Sequence, residues 1–189
     1  MFYVQDAFAF IVETVFGLFI LAVLLRFLFQ LTRADFRNPI SQIIVRITNP
    51  LLAPLRRVIP GVAGIDMAAV VLILLIGFLK TLILAKAAGG SYPLNALFVI
   101  SVAETLNTVL WIFIIAVLIV VVASWVAPHS RHPALMLTHN LAHPVVSPFR
   151  RLIPAPGGLD FSPLIALLLL QLLQKLIVAP LFDFGRSLL

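Results

Sequence analysis

Four apolar stretches dominate the chain, each long enough to cross a bilayer. They cover about 7–31, 67–87, 97–126 and 162–182. A hydrocarbon core of about 30 Å takes roughly 20 apolar residues in a helix. No unpaired backbone can face lipid, so all four read as α-helices. The third is long enough to tilt or to begin outside the core. The intervals between them carry their own pattern. After the first span, Asn38-Pro39 is followed by Ile40, Ile43, Ile44 and Ile47, one apolar stripe at i, i+3, i+4 and i+7 with Ser41, Gln42 and Thr48 off it. After the third, His132-Pro133 is followed by Ala134, Leu137 and Leu141. In both, a capping residue precedes a proline in the first helical turn. These predict two short helices that either lie in the headgroup region or pack on each other. The expected fold class is an all-α membrane protein with four transmembrane helices and two short interfacial helices.

The pattern occurs twice. Residues 50–66 read PLLAPLRRVIPGVAGID and residues 144–160 read PVVSPFRRLIPAPGGLD, a constant offset of 94 with eight identical positions. The chain is a tandem duplication of a two-span unit, with repeats 1–93 and 94–189. Two spans per repeat return the second copy in the same orientation, so a pseudo-twofold axis along the membrane normal is expected. Inverted-repeat transporters have the opposite symmetry. In the first copy Pro50, Pro54 and Pro60 each remove a donor and disfavour continuous helix. Such backbone belongs at the interface or inside protein. Asp66 is placed to cap the next span, and in the second copy Asp160 or Ser162, with Pro163 just inside.

Composition agrees with the pattern. The 189 residues are 62% hydrophobic and 11% charged, against about 45–50% and 25% in a soluble domain. The formal charge of +6 is concentrated by position. Arg33, Arg37, Arg46, Arg56 and Arg57 follow the first span, and Arg131, Arg150 and Arg151 follow the third. The connection near Gly89–Pro93 has no charge. Positive charge stays on the cytoplasmic side, which predicts a multi-pass inner-membrane protein with cytoplasmic Arg-rich loops and periplasmic termini. Met1–Asp6 lacks basic residues and the first apolar run is too long for a signal-peptide core, so no cleavable signal is expected. Arg56, Arg57, Arg150 and Arg151 then sit at phosphate level. One basic residue near an anionic leaflet is worth about 1 kcal/mol, and the guanidinium fork binds phosphate with two hydrogen bonds. Asp66 and Asp160 are their nearest anionic partners. Two readings stay open: a structured element binding lipid or a partner, and topology anchoring with turn chemistry.

Ionisable residues at membrane depth are costly and usually paired or functional. Glu13, Lys80, Glu104 and Lys175 qualify, each roughly 10 Å below the outer surface at 1.5 Å per residue. The offset maps Glu13 onto Asn107 and Lys80 onto Gln174, and Gln171 joins the same set. Again two readings are open. One is a cation path. The other is a pair of structural bridges, Glu13 with Lys80 and Glu104 with Lys175. Arg26 and Lys86 lie near span ends and read as snorkelling anchors.

Other chemistry finds little support. The chain has no cysteine, so disulfides and thiolate sites are excluded. His129, His132, His139 and His143 cluster in the second loop, but the first loop has no histidine and metal sites need three or more converging ligands. No P-loop, GxGxxG, HExxH or GxSxG motif occurs. No catalytic residue, metal, cofactor or nucleic-acid partner is expected.

The duplicated element resembles the YggT family, also called YlmG. Its signature is a P-x-R-R-x-x-P…G-x-D-x-S-P pattern in two copies. Pro54-Leu55-Arg56-Arg57-Val58-Ile59-Pro60 and Pro148-Phe149-Arg150-Arg151-Leu152-Ile153-Pro154 carry it, and Asp160-Phe161-Ser162-Pro163 completes the second copy. The first copy departs, with Asp66-Met67-Ala68-Ala69. Arg26 and Ser124-Trp125 also resemble the family's span-ending residues. The resemblance implies a bacterial inner-membrane protein with no established enzymatic activity. It further implies links to osmotic-stress tolerance and potassium uptake, or to cell division and plastid cytochrome assembly. The expected function is a non-enzymatic membrane factor engaging anionic phospholipid, another membrane protein or itself. The alternative is a small cation channel or transport subunit using the intramembrane acids.

Overall fold

The computed structural model describes residues 2–152 and 160–189. Among the described residues seven α-helices run in the order α1 (Phe2–Leu31), α2 (Pro39–Val58), α3 (Met67–Ala87), α4 (Leu94–Val126), α5 (Pro133–Leu152), α6 (Ser162–Leu173) and α7 (Ala179–Ser187). A π-helical segment, Gln174–Val178, joins the last two. Four helical stretches are long and apolar enough to cross a membrane: Tyr3–Leu31, Met67–Ala87, Leu94–Val126 and Ser162–Ser187. These are the four expected spans, with the first, third and fourth running a few residues further. The second copy's Ile153, Pro154 and Gly158 lie outside the described residues.

The interruption in the fourth span has a local cause. Pro180 lacks the N–H that would bond the Leu176 carbonyl, and its ring crowds that carbonyl in a regular α-helix. A π-helical turn over Gln174–Val178 widens the helix there. Beyond it α7 lies close on α4: a Cβ at Gly185 would meet Ile100 Cγ1 at 2.8 Å.

The two surface helices depart from expectation. α2 continues through Pro50 and Pro54, and α5 through Pro144 and Pro148. All four prolines are exposed. Being four apart they share a face, so the carbonyls they leave unpaired point away from the packed side, where polar surroundings satisfy them. Of the first copy's three prolines, only Pro60, beyond the end of α2, stops the helix. The buried face of α2 is Ser41, Ile44, Thr48 and Leu52, while Ile43 and Ile47 of the expected apolar stripe are exposed. The polar members turn inward because they have partners. Ser41 Oγ donates to the Asp35 carbonyl at 3.1 Å, and Thr48 receives a side chain from α1. Both caps form as expected. Asn38 Oδ1 accepts from the Ile40 N–H at 2.9 Å, and His132 Nδ1 accepts from the Ala134 N–H at 3.2 Å. Asn38 Nδ2 also donates to the Pro133 carbonyl at 2.8 Å, tying the starts of the two surface helices together.

Each repeat packs alike. Its first span lies on its second span, and its surface helix touches both. Between repeats α3 packs closely on α4, α1 touches α4 and α5, and α2 touches α5, but α1 meets neither α6 nor α7. An exact twofold would require α1 to meet α6 or α7 as α3 meets α4, so the two repeats do not contact each other symmetrically. Two features explain the difference. The short connection between Ala87 and Leu94 holds α3 against α4 as a hairpin. The approach is also close, since a Cβ at Gly77 would meet Thr105 Oγ1 at 3.4 Å. The position equivalent to Gly77 is Gln171 in the second repeat, so α6 offers no small-residue face to match. Only 17–33% of each span's most apolar window is buried within the chain.

Candidate functional site

The repeated Arg-Pro element closes on itself. α2 ends at Val58, and Pro60 prevents its continuation. The chain then folds back through a tight turn in which Val62 and Ile65 exchange backbone hydrogen bonds of 3.1 and 2.9 Å. Ala63 and Gly64, at φ 52° and 82°, form its centre, the double positive-φ turn that favours glycine. This delivers Asp66 to the start of α3 and back beside Arg56. Arg56 Nε donates to Asp66 Oδ2 at 3.0 Å with Nη2 on the same oxygen, while Oδ1 accepts from the Ala69 N–H at 3.3 Å. One buried carboxylate therefore caps a helix and holds a guanidinium. The second repeat builds the same clasp more openly. Arg150 Nε donates to Asp160 Oδ2 at 2.8 Å and the Ser162 N–H to Asp160 Oδ1 at 2.9 Å. Partial burial pushes the Asp160 carboxyl up, but hydrogen bonds from Ser162 and Arg150 outweigh it and hold the group below the usual carboxylate range. Both aspartates hold an arginine as expected, and Asp66 also caps α3. The cap position of α6 is Phe161, and Asp160, one residue before it, accepts from the Ser162 N–H.

The structure thus divides each arginine pair. Arg56 and Arg150 are held by the aspartates. Arg57 and Arg151 are exposed, with no acceptor among the described residues.

Arg26 is not a snorkelling anchor. It is 5% exposed and points into α2, where Nη1 donates to Thr48 Oγ1 at 2.6 Å, to Asn49 Oδ1 at 2.9 Å and, more weakly, to the Val45 carbonyl at 3.4 Å. The polar members Thr48 and Asn49 were missed as site residues. The available signal was an arginine one helix away from a surface helix with Thr-Asn on its inner side.

At membrane depth the pairing differs from expectation. Lys80 Nζ lies 2.6 Å from Glu104 Oε2, joining α3 of one repeat to α4 of the other. Glu13 does not pair with Lys80, nor Glu104 with Lys175. Lys80 lies on the helix that packs against α4, so it reaches the acid there. Gln174 Nε2 donates to Asn107 Oδ1 at 3.0 Å, linking the two spans of the second repeat. Glu13, Gln171 and Lys175 are exposed on the protein surface and do not join an interior cluster. Of the histidines, His132 caps α5, and His139 and His143 line a small cleft of about 150 Å³ with Asn140 and Arg150. Among the described residues no three potential metal ligands converge.

Fold and site together define a multi-pass, all-helical membrane protein made of two head-to-tail copies of a span, surface helix and span, each closed by an Arg–Asp clasp. The chain belongs to the CCB3/YggT family, whose model matches residues 5–87 and again 99–181. It is 44% identical over 172 residues to the Pseudomonas aeruginosa "Uncharacterized protein PA0392", covering 89% of this chain and 87% of that one. It is 34% identical over 185 residues to the Escherichia coli K12 "Uncharacterized protein YggT", covering 98% and 96%. To a Vibrio alginolyticus "Uncharacterized protein in proC 3'region" it is 38% identical over 173 residues, covering 88% and 91%. No solved structure matches the chain significantly.

Proposed function

We propose that the protein is a non-enzymatic factor of the bacterial inner membrane whose Arg-rich end engages anionic phospholipid and, through it, partner membrane proteins. In this reading both Arg-rich loops are cytoplasmic and both termini periplasmic. The observation that carries it is the division of each arginine pair. The clasp fixes Arg56 and Arg150 on an aspartate, and the next residue is left exposed at the end of an amphipathic helix. An arginine held at a fixed place near a phosphate layer contributes specific contacts as well as general attraction. The exposed apolar side chains of α2, Ile43, Ile47 and Leu51, suit a helix lying on a membrane surface. A cation path gains no support from Glu104, whose charge is matched by Lys80.

The test is the double variant Arg57→Gln, Arg151→Gln, purified in mild detergent. Anionic phospholipid retained per protein should fall, with the melting temperature unchanged because neither arginine holds a hydrogen bond or ion pair among the described residues. Unaltered lipid retention would reduce both residues to topology signals.

A further inference from the structure

We infer that the first repeat contains a discrete binding site for one phosphate-bearing anion, in the cleft between α1 and α2 lined by Arg26, Arg46 and Arg56. The inference rests on the proposed function only in placing this end of the molecule at headgroup level. The cleft has a volume of about 590 Å³ and is completed by Gln30, Gln42 and Asn49. That is within the usual range of small-ligand sites.

Three observations identify the ligand class. The first is Arg26. Its guanidinium is buried and fixed by bonds from a single nitrogen, Nη1, to Thr48, Asn49 and Val45. No carboxylate pairs with it, and Nε and Nη2 have no acceptor among the described residues. A buried cation without a counter-ion is costly, and the unused edge is the one suited to a two-pronged contact with an oxyanion. The second is charge. Arg26, Arg46 and Arg56 supply three positive charges and Asp66 one negative, leaving +2 at the cleft. A phosphate monoester or diester group matches that excess. The third is that the second repeat lacks the arrangement. By the offset of 94, Arg26 corresponds to Val120 and Arg46 to Asn140, and only Arg56 has a basic equivalent, Arg150. The corresponding cleft is about 150 Å³. The fold therefore does not require the buried arginine, since the same unit packs with valine in its place. Its Nη1 ties α1 to α2 in the first repeat, and its unused edge is left to bind something outside the fold.

The phosphate could belong to a lipid headgroup or to a soluble molecule, and the experiment separates the two. The full chain is delipidated in dodecyl maltoside, which contains no phosphate, at constant ionic strength. Inorganic phosphate is titrated in one arm and phosphatidylglycerol in the other. Thermal midpoint and the number of bound ligands by native mass spectrometry are read. One saturable site is expected from at least one source, weakened by at least about tenfold in Arg46→Gln, the effect of losing one charge-assisted hydrogen bond. Arg46 is exposed and holds no hydrogen bond or ion pair among the described residues, so Arg46→Gln should melt as the unaltered chain does and the result does not depend on the stability of Arg26→Val, which copies the second repeat. Saturation by phosphate alone identifies a soluble ligand, and saturation by lipid alone identifies a headgroup. The Arg57→Gln, Arg151→Gln protein should keep the site, which separates it from general lipid retention. Absence of a saturable site in both arms, or a site unchanged by Arg46→Gln, overturns the inference.

Discussion

Lys80 Nζ sits 2.6 Å from Glu104 Oε2, and this ion pair crosses the boundary between the two repeats. It joins the second span of the first unit to the first span of the second, at the helix pair where Gly77 lets the backbones approach. The pair therefore belongs to the assembly of the duplicated halves.

Removing one partner should destabilise the protein more than removing both. Lys80→Met leaves Glu104 without its cation, at a cost toward the lower end of about 3–5 kcal/mol, since the Glu104 side chain is 35% exposed. The Lys80→Met, Glu104→Gln double variant should recover most of the loss. Thermal unfolding in detergent measures both, and a double variant no better than the single one would contradict a pairwise bond.

The two clasps should differ in strength. Asp66 is 7% exposed and Asp160 37%. Asp66→Ala removes a helix cap, worth about 1 kcal/mol, and leaves Arg56 without its anion. Asp160→Ala removes no N-cap, since that position of α6 is Phe161, and it frees Arg150 in a more solvated place, where ion pairs contribute little. The melting temperature should drop further for Asp66→Ala, and equal drops would mean that burial does not set the difference.

Pro50 should be replaceable without loss of the helix. Proline inside a helix costs about 3 kcal/mol by removing a hydrogen bond and crowding a carbonyl. Since α2 already runs through Pro50 at an exposed position, Pro50→Ala restores that bond and should raise the melting temperature. A lower one would indicate that the proline imposes a bend the packing needs.

The orientation is open to a direct test because the chain has no cysteine. Ser91→Cys, in the uncharged turn, should react with an impermeant thiol reagent in intact cells, and Ser130→Cys, beside Arg131, should not. The reverse labelling would invert the proposed orientation.

Much was legible in the sequence because it depends on neighbours along the chain. Four spans follow from the length of apolar runs. The duplication follows from a gapless match. Asn38, His132 and Asp66 cap helices because a cap needs only a side chain two or three residues before an unpaired N–H. The Arg56–Asp66 clasp spans ten residues and a turn whose residues are visible in the chain. The tertiary structure alone decided the rest. A lysine at membrane depth has acids on two neighbouring helices, and which one it meets depends on which helix its own packs against. Gly77 and the short turn placed α3 on α4, so Lys80 took Glu104 and left Glu13 exposed. Likewise, hydrophobic periodicity marks a helical face without saying what approaches it. Ser41 and Thr48 became the buried face of α2 because Asp35 and Arg26 were there to bond them, and Ile43 and Ile47 faced outward, where a membrane makes an apolar surface inexpensive. Burial of Arg26 required the polar side chains of a helix that follows it in the chain and returns beside it only in the folded molecule.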